Sequence, residues 1–561
     1  MTNKRDGILV YAVLLVAAFS FRGTVARLLA NDSPDDGKVY SQIARNLLEQ
    51  HVYSHETEAP YRPSLIRLPG YPIFIAGVYS VFGHGDDTGV RIVQALLDTA
   101  TCALIALITF LWEPEKKFKR RSSIAALVLA ALCPFTTIYV ATILTETPTM
   151  FLAVAMSLTA TLALNETRNG KVLLLWVATG LLCGLAVLFR PDSGLFALAI
   201  GSTLVVTVLS RSSDVTLNKK RDEVLYRFSK ASYLGAVFSL AFCLVLVPWT
   251  VRNFRVFHIF QPLAPAHAVM PGEFVPRGYF AWVRTWLDDG RYVGPVLWTL
   301  DASPIKIGDI PERAFDSAEE KQRVAALLDR YNHPPQELDP FVPELQPGEE
   351  ATPSDDQLNQ NPGDSSKPEA RTSPNSQADK GDDADEGDEG DASDETDSAN
   401  EAPGQTVEMT PEIDAGFAQL AKERIARHPI PYYFLLPARR AASLWLDTHS
   451  QYYPFEGELL PFSNLDNQQQ FWLPVFSVLM LVYTLLGIAG GWFLWQRREF
   501  ESRKWVLLAG LIIFLRIGFF GTVENPEPRY VVEVFPFLAI LGGIALTRLL
   551  DQIRGRHKTI H

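Results

Sequence analysis

Lys171-Val-Leu-Leu-Leu-Trp-Val-Ala-Thr-Gly180-Leu-Leu-Cys-Gly-Leu-Ala-Val-Leu-Phe-Arg190-Pro191-Asp192 carries no charge from 172 to 189 and then breaks off in Arg-Pro-Asp. As a helix such a run crosses a bilayer, which takes about 17–25 apolar residues. A second uncharged run follows at 193–210, and further apolar runs, some carrying one or two charges, lie near 7–22, 88–112, 122–139, 146–164, 231–249, 471–495, 505–521 and 531–549. The pattern predicts an all-α polytopic membrane protein of about ten spans. It excludes a purely soluble enzyme and a disulfide-built secreted domain. All four cysteines (Cys102, Cys133, Cys183, Cys243) fall inside apolar runs, which predicts buried thiols.

Charge sets the topology. Lys4 and Arg5, the basic stretch Lys116–Arg121, Lys219–Lys230, Arg497–Lys504 and Arg554–Lys558 fall on one side if both termini are cytoplasmic. The first run, with no convincing small-residue cleavage site after it, reads as an uncleaved anchor. Residues 1–249 then form an N-terminal module of seven spans, with an outer loop at 23–87, and 471–561 a C-terminal module of three. Between them, 250–345 and 409–470 form an extracytoplasmic, α-rich subdomain interrupted by an acidic tract at 346–408. From Glu344 to Glu408 there are 20 Asp/Glu and 3 Lys/Arg, a net of −17 in a chain of net −12; the remainder is therefore net +5. The tract is too polar to offset its ordering entropy, which predicts disorder. In 412–427, Ile413, Phe417, Leu420 and Ile425 approximate an amphipathic stripe.

The charges at membrane depth gather on the outer side. Glu146 opens a span, Arg190 and Asp192 join two spans, Arg252 follows Pro248-Trp249, Arg516 lies near the outer end of its run, and Arg529-Tyr530 begin the last one. Such charges usually face an internal cavity. Asp98, about ten residues into its run, calls for an arginine on a neighbouring helix. In the first outer loop, Val39, Tyr40, Ile43, Ala44, Leu47 and Leu48 have helical spacing, which predicts a helix lying on the membrane surface behind Asp35-Asp36. Either aspartate serves as a helix N-cap or as a proton acceptor at the water–lipid boundary. Arg62 and Arg67, in a Pro/Gly-punctuated segment, suit a phosphate or ordinary lipid headgroups.

Taken in order, Asp36-Gly-Lys-Val-Tyr40-Ser-Gln-Ile-Ala44-Arg-Asn46, Arg67-Leu-Pro-Gly-Tyr71-Pro72, Thr145-Glu146, Phe189-Arg190-Pro-Asp192, Pro248-Trp-Thr-Val-Arg252-Asn253 and Arg529-Tyr530 resemble the GT-C superfamily of integral-membrane glycosyltransferases. Within it the chain is most similar to family 39, with its mannosyltransferases, and to the lipid A aminoarabinose transferase. In many relatives the first motif reads Asp-Glu; the four-residue step to Tyr40 favours Asp36 as its counterpart here. The resemblance implies an inverting enzyme of the cell envelope that moves a hexose or pentose from a polyprenyl-phosphate carrier to an extracytoplasmic acceptor. It implies Asp36 as base, with Asp35 or Glu146 as the alternatives, and Arg67, Arg190, Arg252 and Arg529 on the phosphate. Tyr40, Tyr71, Asp192 and Tyr530 complete the substrate pocket, and a bacterial inner membrane is the implied location. Expected partners are the lipid-linked donor, the acceptor and membrane lipids, with no nucleic acid. No cofactor is implied; a divalent cation is compatible, but no metal-ligand spacing indicates one. The rival class, a transporter or flippase for an anionic glycolipid, places its site near the midplane, where Asp98 is the one carboxylate found.

Overall fold

The computed structural model describes residues 4–30, 35–83, 85–210, 220–265, 269–334, 407–497 and 499–559. Except for Val407 and Glu408, the acidic tract of 346–408 lies outside the described residues. The side chain of Asp35 lies outside them too.

Among the described residues nine helices are long and apolar enough to span a bilayer, and a tenth span is a bent pair. In chain order the helices are α1 (Lys4–Leu28), α2 (Asp35–Glu49), α3 (Gly70–Phe82), α4 (Asp87–Trp112), α5 (Lys119–Ala131), α6 (Pro134–Thr137), α7 (Glu146–Asn165), α8 (Asn169–Phe189), α9 (Gly194–Ser210), α10 (Lys220–Phe257), α11 (Arg277–Val283), α12 (Ala318–Asn332), α13 (Pro411–Arg427), α14 (Leu436–Leu446), α15 (Asn467–Trp495), α16 (Phe500–Gly521) and α17 (Phe535–Thr559).

The run at 122–139 is not one straight span. It bends by 52° between α5 and the Pro134–Val140 segment, because Pro134 cannot continue the hydrogen-bond ladder. The carbonyls freed at Ala130 and Ala131 each accept from Arg22 of α1 at 3.1 Å. Arg22 Nε also meets Asp98 Oδ2 at 2.5 Å, so the midplane carboxylate has the neighbouring arginine its position calls for. One buried cation thus closes a helix end and neutralises an intramembrane acid.

Other local choices follow the same logic. Asp86 caps α4 by accepting from Thr88 and Gly89 N–H, and Asp466 with Gln469 forms a capping box on α15. Gly180 and Gly184 let α8 lie on α10: a Cβ there would stand 2.4 Å from the Phe238 carbonyl and 2.5 Å from that of Phe242. Helix α10 does not stop at Trp249 but runs to Phe257, with Pro248 inside it. Its 38 residues measure about 57 Å and overrun the hydrocarbon on both sides. Cys102, Cys133 and Cys183 are buried, whereas Cys243 faces outward on α10.

Helices α11, α12 and α13 enclose a separate core around Trp282, Trp286, Leu328, Tyr331, Phe417 and Leu420. The expected stripe on α13 is buried at Ile413, Phe417 and Leu420; Ile425 is only half-buried, and Arg424 turns inward onto Glu320 at 2.9 Å. Two charge clusters occupy opposite ends of the bundle. One joins Arg548 to Glu113 and to Glu115 (2.8 Å), with Arg497 also on Glu115. The other surrounds the start of α2.

Candidate active site

Four arginines and five carboxylates converge where α2, α7, α8, α9, α16 and the turn before α17 meet. Asp36 is the second residue of α2, where its charge complements the helix dipole. Its Oδ1 lies 2.6 Å from Arg67 Nη2, and its Oδ2 lies 3.4 Å from Arg529 Nη2. Glu146 opens α7 and is buried; its Oε1 accepts from Arg190 Nη1 at 2.6 Å. Arg190 ends α8 and reaches Asp192 Oδ1 at 3.2 Å through Nε. Below it, Arg516 of α16 holds Asp192 at 2.9 Å and Glu533 at 2.7 Å, and donates to the Tyr530 carbonyl at 2.6 Å.

These groups border a cavity of about 300 Å³ lined by Asp36, Tyr40, Arg67, Glu146, Arg190, Asp192, Arg529 and Tyr530, with Thr145 and Phe189. The Arg190 guanidinium lies 5.6 Å from the centre of the Tyr530 ring, and that of Arg67 lies 5.9 Å from the centre of Tyr40. Burial, reinforced by the negative charge of Asp36, pushes the Tyr40 phenol up to about 12, so it stays protonated and able to donate.

Two residues of the predicted pocket stand elsewhere. Tyr71 is fully buried behind Tyr40, edge-on at 5.1 Å, and donates to Gln94 at 2.8 Å. Arg252 donates to the Ser64 carbonyl at 2.7 Å and lies over Tyr53, Trp249 and Phe257, 5.0–5.4 Å from their centres. It braces the first loop and does not line the cavity. Conversely, Glu533 and Glu527, which lie outside the sequence motifs, belong to the cluster. Glu533 stands between Arg516 and Arg190 Nη1 (3.6 Å), and Glu527 pairs with Arg529. Their signal was available: Glu533 is four residues past Arg529 and sits inside an otherwise apolar run.

Among the described residues no group of three or more His, Cys, Asp and Glu side chains is placed to hold a metal ion. Each carboxylate of the cluster faces a guanidinium instead. The arrangement is chemically suited to an oxyanion that exchanges with carboxylates for the arginine forks.

Residues 62–249 match the family model described as dolichyl-phosphate-mannose-protein mannosyltransferase. No protein of curated function matches the chain. Among solved structures it is similar to the archaeal oligosaccharyltransferase AglB from Archaeoglobus fulgidus, in complex with an inhibitory peptide and a dolichol-phosphate. That likeness has a TM-score of 0.46 and 12% identity, covering 98% of this chain and 51% of the other. ArnT from Cupriavidus metallidurans bound to undecaprenyl phosphate gives a TM-score of 0.32 and 13% identity over 96% of this chain and 78% of the other. The chain therefore spans about half the length of AglB. Arg67, Glu146, Arg190 and Asp192 all lie inside the stretch, about a third of the chain, that matches the dolichyl-phosphate-mannose-protein mannosyltransferase family model, and the protein is a multi-pass membrane protein.

Proposed function

We propose that the protein moves a sugar, with inversion, from a polyprenyl-phosphate carrier to a hydroxyl outside the cytoplasm, its site on the outer face of a bacterial inner membrane. The observation that carries this reading is Asp36 held between Arg67 and Arg529 at a cavity whose other charges are locked in ion pairs. The donor phosphate takes the Arg67 and Arg529 forks. The acceptor oxygen attacks C1 from the face opposite the phosphate, its proton passes to Asp36, and the C1–O bond breaks to release polyprenyl phosphate. The transition state is oxocarbenium-like, as in inverting glycosidases, with guanidinium charge in place of a general acid. Tyr40 donates from a phenol that stays protonated, and Glu146 and Asp192 orient Arg190 against the sugar–phosphate junction.

The test uses the purified full chain in nanodiscs with polyprenyl-phosphate mannose and, separately, a pentosyl donor. Glycolipids and glycoproteins are compared by mass analysis in a deletion strain to identify the acceptor. Carrier release that requires Asp36 supports the reading. Release that is unchanged in Asp36→Asn and Glu146→Gln alike overturns it.

A further inference from the structure

A second concave region lies on the C-terminal half of the molecule. At the end shared with the catalytic cavity, α14, α15 and the 447–460 loop enclose about 560 Å³. Directly below, α15, α16 and α17 border an apolar groove of about 620 Å³. The two are stacked. Ser477 of α15 lines the upper cavity, and Thr484, two turns or about 10 Å along the same face, lines the groove. On α14, Leu446 borders the cavity and its neighbour Trp445 the groove. The groove runs twelve residues along each of α15 (Thr484–Trp495) and α16 (Val506–Ile517), about 17 Å from first to last, roughly the depth of one leaflet. Its width comes from missing side chains: a Cβ on Gly510 would meet nothing within 4 Å.

The upper cavity has the wrong electrostatics for a phosphate. Asp288 takes Arg313 at 3.0 Å and Arg439 at 3.5 Å, and Asp289 takes Arg291 at 2.6 Å. Asp447, whose carboxyl burial pushes upward, accepts the His449 N–H at 2.8 Å instead of a cation. Ser443, Thr448 and Ser477 add hydroxyls. Carboxylates and hydroxyls with their arginines already engaged suit a polyhydroxyl headgroup without net negative charge. Leu446 and Leu460 at its edge are more than 60% exposed, as a membrane-level rim would be.

We infer that this cavity and groove bind the acceptor, and that the acceptor is a glycolipid: sugar headgroup above, hydrocarbon chain between α15 and α16. The inference rests on the transferase reading above and selects a lipid over a protein or a free glycan. The bound headgroup lies near the catalytic cavity. Tyr452 is five positions on from Asp447, at most about 17 Å of chain. Tyr452 packs edge-on against Tyr139 at 5.5 Å and lies in the field of Arg529 and Glu146.

The experiment uses the full chain in phosphatidylcholine nanodiscs and a monoglycosyl diacylglycerol with a photoreactive acyl chain. Labelling is expected in α15 and α16, competed by unlabelled glycolipid. Gly510→Leu, which fills the groove, and Asp447→Asn, which weakens headgroup binding, are each expected to reduce labelling about fivefold. Undecaprenyl phosphate binding and the melting temperature should be unchanged in both, which separates a lost site from a lost fold. Equal competition by phosphatidylglycerol would make the groove an unselective lipid seam. Selective competition by undecaprenyl phosphate would make it the carrier's. Either result, or labelling unchanged in both variants, overturns the inference. Selective glycolipid labelling in a protein that transfers no sugar would instead sustain the binding site and remove the transferase reading.

Discussion

Asp36→Asn should damage turnover and improve carrier binding at once. The carboxylate holds Arg67 at 2.6 Å and Arg529 at 3.4 Å, so the two forks proposed for the donor phosphate already have a competitor. Two unit charges 4 Å apart interact by about 4 kcal/mol at an effective dielectric of ~20. Asp36 is 32% exposed and Arg67 is 23%, so solvent screening reduces each pair to ~1 kcal/mol or less. Removing the charge while keeping the shape therefore releases roughly 1–2 kcal/mol toward an incoming phosphate, about 5- to 30-fold in Kd. Without the proton acceptor, turnover falls about 10²–10⁴-fold. Arg67→Ala and Arg529→Ala should instead lose affinity and rate together.

Two assays on the same nanodisc preparation separate these effects: equilibrium binding of undecaprenyl phosphate, and single-turnover transfer from a saturating donor. Asp35→Asn is the control and should change neither by much. If Asp36→Asn binds the carrier more weakly than the parent, Asp36 does not compete for those forks, and the phosphate belongs elsewhere. If its turnover stays within about tenfold of the parent, the base is not Asp36, and Glu146 is the next candidate.

Glu533→Ala leaves Arg516 without its fully buried partner at 2.7 Å and frees Arg190 on one side; it should destabilise by about 3–5 kcal/mol, read as a lower melting temperature, and raise the donor KM. Asp98→Ala should cost about as much through Arg22, and the double change Arg22→Met with Asp98→Leu should recover only part of it, because the Ala130 and Ala131 carbonyls lose the Arg22 donors; an additive double mutant would refute the pairing. His449, buried between Phe135 and Phe535, is lowered to about 4, so the folded state holds it neutral. Its contribution is complete above the unfolded value of about 6.5 and is lost as pH falls toward 4; His449→Asn should flatten the melting temperature across that window. Excising 340–404 with a short linker should leave the melting temperature and transfer near normal, because the chain leaves and re-enters at one place: Glu408 N–H donates to the Tyr331 carbonyl at 3.3 Å. Loss of the α11–α13 core in that variant would show the tract to be structural.

Much of this architecture is legible in sequence because the bilayer imposes a simple rule: uncharged runs cross, and charges stop them. Arg190-Pro191-Asp192 and Thr145-Glu146 are legible because they bound such runs, and in the structure they meet at one cavity. Glu533 is harder to read because it lies two residues into the apolar run at 531–549, an acid among valines. Arg252 looked equivalent to Arg190 by position. Its orientation depends on the Ser64 carbonyl, 188 residues away, and on three aromatic rings that no local pattern brings together. The bend after Ala131 was signalled by Pro134, but the compensation from Arg22 was not, since it depends on α1 lying beside α5. The α11–α13 core was only half legible: α13 carries its stripe, while Trp282 and Phe417 meet across 135 residues of chain.

The depth of each ion pair divides the site into two functional layers. At the bottom, Arg516 and Glu533 have no exposed side-chain surface and Glu146 has 2%; their partners are fixed, because breaking a pair there leaves a bare charge in a low-dielectric interior. At the top, Asp36, Arg67 and Arg529 are 32%, 23% and 15% exposed, so water can cover either partner while another anion takes its place. Arg190 belongs to both layers: it lines the cavity at 10% exposure, yet Glu146, Asp192 and Glu533 hold it on three sides. A phosphate can therefore displace a carboxylate from Arg67 or Arg529 but can only add to the shell of Arg190. The lower layer fixes the position of the positive charge without yielding it, and the upper layer exchanges. On the transferase reading proposed above, donor binding and the freeing of Asp36 to accept a proton become one event, which ties activation of the acceptor to the presence of the sugar it attacks.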